Sequence, residues 1–185
     1  MTLPGPSPAR DVRGLSRDSL LVFAVGVLLD AAWSWRPSFW YDEVATLYSS
    51  QRSRPDLSNL LGHIDAVHGL YYVAMRYWFA VFGASEFSAR FPSALAVGAA
   101  GAGVVVLGAL ISTRRVAVLS GLLFVILPSV TWAAAEARGY AATAAAAVWL
   151  TVILLAALRL RRWWLWALYA AGLAVSIVLF VYLLT

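Results

Sequence analysis

The sequence predicts an all-α integral membrane protein, and three observations lead to this prediction. Of the 185 residues, 62% are hydrophobic and 12% are charged, whereas a soluble domain is about 45–50% apolar and about 25% charged. The apolar residues form long runs whose length suits a bilayer crossing. Arginines stand beside these runs, which is typical of the loop charges that orient membrane helices. We therefore expect about five transmembrane helices, with interfacial helices in the first outer loop.

The first predicted elements are a basic tail and a membrane anchor. Residues 1–18 begin with frequent Pro and Gly and show no apolar period, which predicts a disordered cytoplasmic tail. The apolar run 19–35 follows, with Asp30 near its outer end, where water or a partner could reach it. A cleaved signal peptide is the alternative interpretation. The run ends in Trp33, Trp35 and Arg36 without an obvious small-residue cleavage site, so an uncleaved anchor is favoured.

Four further apolar runs contain no charged residue and approach or meet the ~20 residues that cross a bilayer. They cover residues 92–112, 116–133, 141–158 and 163–184. Small residues such as Gly101 in the first of them would let helix backbones approach closely. The sequence stops at Thr185 directly after an apolar run, which indicates a C-terminally truncated module spanning residues 19–185.

The apolar segment 70–82 is predicted to lie flat at the membrane surface. It is short, and burying Arg76 at its centre would cost about 2.5–3.5 kcal/mol. If the segment lies flat, Arg114, Arg115 and the arginines of 159–162 fall on the cytoplasmic side with the N-terminal tail, as the positive-inside rule requires. Residues 36–91 then form an outer segment.

This topology separates the acidic residues from the arginine clusters. The outer face receives Asp42, Glu43, Asp56, Asp65, Glu86 and Glu136, and only Asp11 and Asp18 remain clearly inside. The net charge of +5 comes from arginines that flank the spans, so no nucleic-acid partner is expected. The chain has no cysteine, which excludes disulfides and thiolate metal sites. The segregation predicts chemistry at the outer membrane surface.

The strongest local signal is Phe39-Trp40-Tyr41-Asp42-Glu43, just beyond the first span. Aromatic residues anchor at the headgroup level and would hold the two carboxylates near the bilayer. Two neighbouring negative charges beside a low-dielectric region should raise the pKa of one of the two carboxyl groups. A carboxylate with a pKa raised toward neutral can act as a general base. The structural alternative is that Asp42 N-caps a helix beginning at Glu43, which the helix dipole would favour.

Two more polar stretches lie in the outer segment. His68 could orient a phosphate or substrate, or could be a structural histidine at the interface. Gly83 is expected to end the interfacial helix, and Pro92 to fall in the first turn of the next one. Glu86 and Arg90, four residues apart, could simply pair on one helix face.

The last signal is Glu136-Ala137-Arg138-Gly139-Tyr140 at the outer end of the third span. Glu136 and Tyr140 would share a face if that helix continues, while Arg138 would point elsewhere and could meet a phosphate. The structural alternative is an ordinary polar hairpin in which Arg138 snorkels.

The order and spacing of these four signals resemble the membrane-embedded GT-C glycosyltransferases, over about residues 19–158. The protein O-mannosyltransferase, lipid A aminoarabinose transferase and related bacterial mannosyltransferase branches are the most similar. The matching motifs are Asp42-Glu43, His68-Gly69-Leu70-Tyr71-Tyr72, the stretch 82–93 and Glu136-Ala137-Arg138. The family has two prolines after its histidine, and this chain lacks both, with Gly69 at one of the positions.

The resemblance implies an inverting transfer of a sugar, mannose-like or another hexose or pentose, outside a bacterial plasma membrane. The donor would be a polyprenyl-phosphate sugar, and the acceptor a hydroxyl of a glycan, lipid or protein. Asp42 would be the general base, Glu43 and Glu136 would be further catalytic carboxylates, and Arg138, His68 and Tyr140 would bind substrate or phosphate. If a divalent cation such as Mg²⁺, Mn²⁺ or Ca²⁺ takes part, Asp42 and Glu136 would hold it.

Two other functional classes stay open at this point. The chain could be a non-catalytic scaffold or partner subunit, or a fragment of a polyprenyl-lipid transporter or flippase. Transport sites usually place ionisable or broken-helix elements at mid-membrane. The four spans after the first contain no charge, which favours surface chemistry over an ion path.

Overall fold

The computed structural model describes residues 12–32, 34–36, 38–63 and 68–179. All regular structure within these ranges is helical, so the predicted all-α class is confirmed for them. The helices are α1 (Val12–Ala31), α2 (Tyr41–Gln51), α3 (Arg54–His63), α4 (Gly69–Phe82), α5 (Glu86–Ile111), α6 (Arg114–Val125), α7 (Pro128–Ala134), α8 (Tyr140–Leu160) and α9 (Trp163–Leu179). Residues Trp33 and Asp65, both used in the sequence argument, lie outside the described ranges.

Helix α5 lies at the centre of the bundle and packs against α1, α6 and α8. Its glycines permit the close approach. A Cβ atom at Gly98 would lie 2.8 Å from the carbonyl oxygen of Phe23 on α1, and one at Gly101 would lie 2.5 Å from Cγ1 of Val125 on α6. Buried small and branched residues fill the space between these helices, among them Val22. The small-residue pattern therefore sets the helix spacing in this bundle.

Two helices of the described chain, α5 and α8, are long and apolar enough to cross a membrane, or three if α6 and α7 form one bent span. The predicted span 116–133 is thus divided by a bend of 59°. Pro128 occupies the first turn of α7, and because proline has no N–H group it cannot continue the hydrogen-bond ladder of α6. Helix α9 is shorter where it is described, and residues 180–184 of its predicted span lie outside the described ranges.

Two predicted boundaries differ from the observed ones. Helix α1 begins at Val12, so the predicted disordered tail is wrong for residues 12–18, while residues 1–11 lie outside the description. The short segment 70–82 is helical as α4, which contacts α2, α5 and α9. Gly83 follows α4 with φ +74°, a left-handed conformation that glycine adopts without strain, and it ends the helix as predicted. Pro92 lies beyond the first turn of α5, because that helix already begins at Glu86.

The arginines predicted to be cytoplasmic gather at one end of the bundle. Arg114, which opens α6, forms an ion pair with Asp18 near the start of α1, with 2.5 Å between Nε and Oδ2. Arg159 near the end of α8 donates a hydrogen bond of 2.7 Å to the carbonyl oxygen of Leu110. We call this the arginine end. Helices α2 and α4 and the turn between α7 and α8 lie at the other end, which we call the acidic end.

Candidate active site

An ion pair between Asp42 and Arg138 lies at the centre of the acidic end. The distance from Arg138 Nη2 to Asp42 Oδ1 is 3.1 Å, and the Asp42 side chain keeps 36% of its surface exposed. Arg138 Nη1 also donates to the hydroxyl of Tyr72, at 3.3 Å. Three separate segments, the first turn of α2, helix α4 and the α7–α8 turn, therefore meet at one guanidinium group.

A second ion pair, between Glu43 and Arg90, lies beside the first and is fully buried. Arg90 Nε donates to Glu43 Oε1 at 2.7 Å, and Arg90 Nη2 lies 2.5 Å from Oε2. The guanidinium also donates to main-chain oxygens, including that of Ser34 at 2.7 Å. Glu43 Oε1 also accepts a hydrogen bond of 3.1 Å from the N–H of Ala137. Because both charges are paired and hydrogen-bonded, the interior tolerates them.

The α7–α8 turn is fixed to helix α5 as well. The hydroxyl of Ser93 donates to the carbonyl oxygen of Glu136 at 2.6 Å and lies 3.4 Å from that of Arg138. Residues 135–139 form no helix, and their main-chain groups need partners from elsewhere. Glu43 supplies a partner for the N–H of Ala137, and Ser93 supplies one for the carbonyl oxygens of Glu136 and Arg138, so both hold the turn that carries Arg138.

Glu136 has the most perturbed environment among the site carboxylates. The residue is only 3% exposed, and its Oε2 atom has no hydrogen-bond partner in the described part of the chain. Burial, followed by the negative charges of Glu43 and Asp42, raises the pKa of Glu136 to about 7. This carboxyl group can therefore hold or release a proton near neutral pH.

The structure brings four of the predicted site residues together: Asp42, Glu43, Glu136 and Arg138. His68 stands at the edge of this group, with its ring centroid 6.0 Å from that of Tyr72. Tyr140 stacks its ring on Trp132 at 5.8 Å and is close enough to Arg138 to interact with it electrostatically.

Three local interpretations are corrected by the structure. Helix α7 ends at Ala134, so Glu136 and Tyr140 do not share a continuous helix face. Helix α2 begins at Tyr41, so Asp42 lies in its first turn and is not the N-cap, while Glu43 accepts a hydrogen bond from the N–H of Trp40 at 3.3 Å. The buried partner of Arg90 is Glu43 and not a residue on its own helix.

Sequence reasoning did not identify the roles of Tyr72, Ser93 and Arg90 in this site. The available signal was Arg90, a charged residue that directly precedes a long apolar run. Such a residue needs a partner when its helix is buried, and the nearby carboxylates of the outer segment were the candidates.

Asp42 and Glu136 are the residues that the sequence suggests as ligands if a divalent cation takes part. The described residues contain no group of three or more His, Asp or Glu side chains that could hold a metal ion. Asp42 is already paired with Arg138, whose positive charge would oppose a cation there.

Comparisons of the chain with protein-family models, with curated proteins and with solved structures find no match.

Proposed function

We propose that this chain is the membrane module of a glycosyltransferase of the GT-C type, acting on a polyprenyl-phosphate sugar. The observation that carries the proposal is the grouping of Asp42, Glu136 and Arg138 at the acidic end. It combines a partly exposed carboxylate, a second carboxyl group with a pKa near neutral and a fixed cation, which are the groups that such a transfer needs.

Asp42 is the proposed general base, because its carboxylate is the site acid that solvent and substrate can reach. In the reaction, the acceptor hydroxyl gives its proton to Asp42 while its oxygen forms a bond to the anomeric carbon of the sugar. The bond from that carbon to the phosphate oxygen breaks with its electron pair, so polyprenyl phosphate leaves and the configuration inverts.

Arg138 is the proposed phosphate-binding cation. Charge accumulates on the leaving phosphate in the transition state, and a preorganised cation stabilises it. Arg138 keeps its position through Tyr72 and the turn that Ser93 holds. When the phosphate binds the Arg138 guanidinium in place of Asp42, the Asp42 carboxylate is free to accept a proton.

The other two carboxylates have different proposed roles. Glu43 is fully buried and engaged by Arg90, so it acts as a positioning residue for the turn that carries Arg138. Glu136, with a pKa of about 7, is placed to exchange a proton with the site after transfer.

The proposed setting is a bacterial plasma membrane with the N-terminus and the arginine end in the cytoplasm. The positive-inside rule supports this orientation, and it puts the acidic end outside, where a lipid-linked sugar donor would be presented. Exposed apolar side chains on the outer helices, such as Leu123, Trp149 and Leu168, suit contact with lipid. The proposal includes five spans, with α1 and α9 as the first and last.

The test is sugar transfer by the protein in liposomes, with radiolabelled polyprenyl-phosphate hexoses and pentoses as donors. We expect Asp42→Asn to lower turnover at least 100-fold, within the usual contribution of a general base. Asp56→Asn is the matched control, because Asp56 lies in the same outer segment, is exposed and bonds to Ser53. Equal turnover by Asp42→Asn and wild type would remove the assignment. No transfer by the wild-type protein with any donor would favour the scaffold class.

A further inference from the structure

A cavity of about 350 Å³ lies between the end of α1 and the bend that separates α6 from α7. Its walls include Leu29, Asp30 and Ser34 from α1 and the chain after it, and Ile126 and Thr131 from the bend. Arg90, which binds Glu43, also lines this cavity.

Asp30 is the unusual feature of this cavity. The residue is only 9% exposed, and its Oδ2 atom has no hydrogen-bond partner within the described residues. A buried carboxyl oxygen without a partner costs free energy, and native proteins rarely leave one unpaired. Because Asp30 lines the cavity, a head group bound there lies beside a carboxyl group whose buried oxygen has no donor from the described residues.

The two hydroxyl groups of the wall also offer lone pairs and no free protons. The hydroxyl of Ser34 donates to the carbonyl oxygen of Ala31 at 2.9 Å, and that of Thr131 donates to the oxygen of Pro128 at 3.1 Å. Each hydroxyl has thus used its single proton but keeps acceptor capacity. The Arg90 charge is balanced by Glu43. The wall therefore suits hydrogen-bond donors and disfavours a phosphate.

The rim of the cavity is apolar and exposed. Leu29 and Ile126 line the cavity and are themselves exposed, and their neighbours Leu28 and Leu127 are exposed as well. In the membrane, such a rim faces hydrocarbon, so a ligand enters from the lipid and carries an apolar chain.

We infer that this cavity binds an amphiphile whose apolar chain lies against Leu29 and Ile126 and whose hydroxyl or ammonium head group donates to Asp30. The required chemistry is a hydrogen-bond donor on a long hydrocarbon chain. Among the described residues, the lining of this cavity includes neither Asp42 nor Arg138, and binding there does not require the transferase activity.

The experiment uses three photoreactive probes with the same diazirine-bearing hydrocarbon chain and different head groups: a primary alcohol, a primary amine and a phosphate monoester. The protein is labelled in liposomes, and the labelled peptides are mapped by mass spectrometry. We expect the alcohol, the amine or both to label the end of α1 and the α6–α7 bend at least fivefold more than the phosphate does. Equal labelling of these segments by all three probes would overturn the inference.

Variants make the assignment specific to the polar wall. Asp30→Leu should lower labelling of these segments by the preferred probes at least fivefold, and Thr131→Val at least twofold. Asp18→Asn, on the same helix at the arginine end, is the matched control and should label as wild type. If Asp30→Leu does not fold, Thr131→Val decides, and unchanged labelling in that folded variant would overturn the inference.

Asp30→Asn distinguishes the two head groups. The amide keeps an acceptor oxygen but loses the charge. Loss of amine labelling with retained alcohol labelling identifies charge pairing with an ammonium group. Retention of amine and alcohol labelling alike identifies a hydrogen bond that does not need the charge of Asp30. Either of these two outcomes agrees with the inferred site.

Discussion

Glu43 and Arg90, 47 positions apart in the sequence, form an ion pair whose side chains are 0% and 1% exposed. The pair joins the first turn of α2 to helix α5. Through the N–H of Ala137, Glu43 also holds the turn that carries Arg138. The fold of the acidic end and the position of its phosphate-binding candidate therefore depend on one buried pair.

Removal of one member of this pair should destabilise the protein strongly. Glu43→Gln leaves the Arg90 charge buried without its counter-ion, and such losses cost about 3–5 kcal/mol of unfolding free energy. We expect a marked fall in Tm, measured by thermal unfolding in detergent. The double variant Glu43→Leu with Arg90→Met, which removes both charges, should recover much of the loss. A single-variant cost below about 1 kcal/mol would contradict the assignment.

Asp42→Asn should lower the stability much less than Glu43→Gln does. The Asp42 side chain is 36% exposed, and its partner Arg138 keeps a hydrogen bond to Tyr72 in the variant. Partly exposed ion pairs contribute about 0–1 kcal/mol to the free energy of unfolding. We expect a small change in Tm together with the loss of sugar transfer described above. A fall in Tm as large as that of Glu43→Gln would instead make Asp42 a structural residue.

The sequence alone predicted the helical class and the location of Asp42 and Glu136 on the same side. It did not predict which charged side chains form ion pairs with each other. Apolar runs and arginine positions place Asp42 and Glu136 on one side of the membrane in the predicted topology, and the structure has both at one end of the bundle. The partner of Arg90 was missed because the i, i+4 rule describes only local pairs. The contact with Glu43 depends on how α2 packs on α5, which no local pattern encodes.

The start of α1 was predicted wrongly for a related reason. Residues 12–18 are rich in charged and small residues and resemble a tail in composition, yet Asp18 is held by Arg114 at the start of α6 and helix α1 extends through it. Tertiary contacts of this kind can override local composition.

Glu136 should make stability depend on pH. Its pKa is about 7 in the folded protein, against an ordinary value of 4.5, so the folded state holds the proton more tightly than the unfolded one. The resulting contribution of Glu136 to the free energy of unfolding is fully present below about pH 4.5 and is lost as the pH rises through about 7. Tm of the wild type should therefore fall, relative to that of Glu136→Gln, between these pH values.

The control for this prediction is Asp56→Asn, which removes an exposed carboxylate that is not part of the site. Its Tm should follow the wild-type pH profile. If Glu136→Gln also follows that profile, the carboxyl group is not protonated in the folded protein at neutral pH.

Gly101→Leu should disrupt the packing of the membrane bundle. A Cβ atom there would lie 2.5 Å from Val125 Cγ1 and 3.2 Å from Val22 Cγ1, so α1 and α6 would both have to move away from α5. Overpacking of this kind costs about 1–3 kcal/mol and occasionally more. Tm in detergent should fall further than for Asp42→Asn.

Ala174→Leu is the matched control for Gly101→Leu, because it adds a leucine side chain at an exposed position of α9. It should leave Tm near the wild-type value. If Gly101→Leu is tolerated as well as this control, close contact of α5 with α1 and α6 does not hold the bundle together.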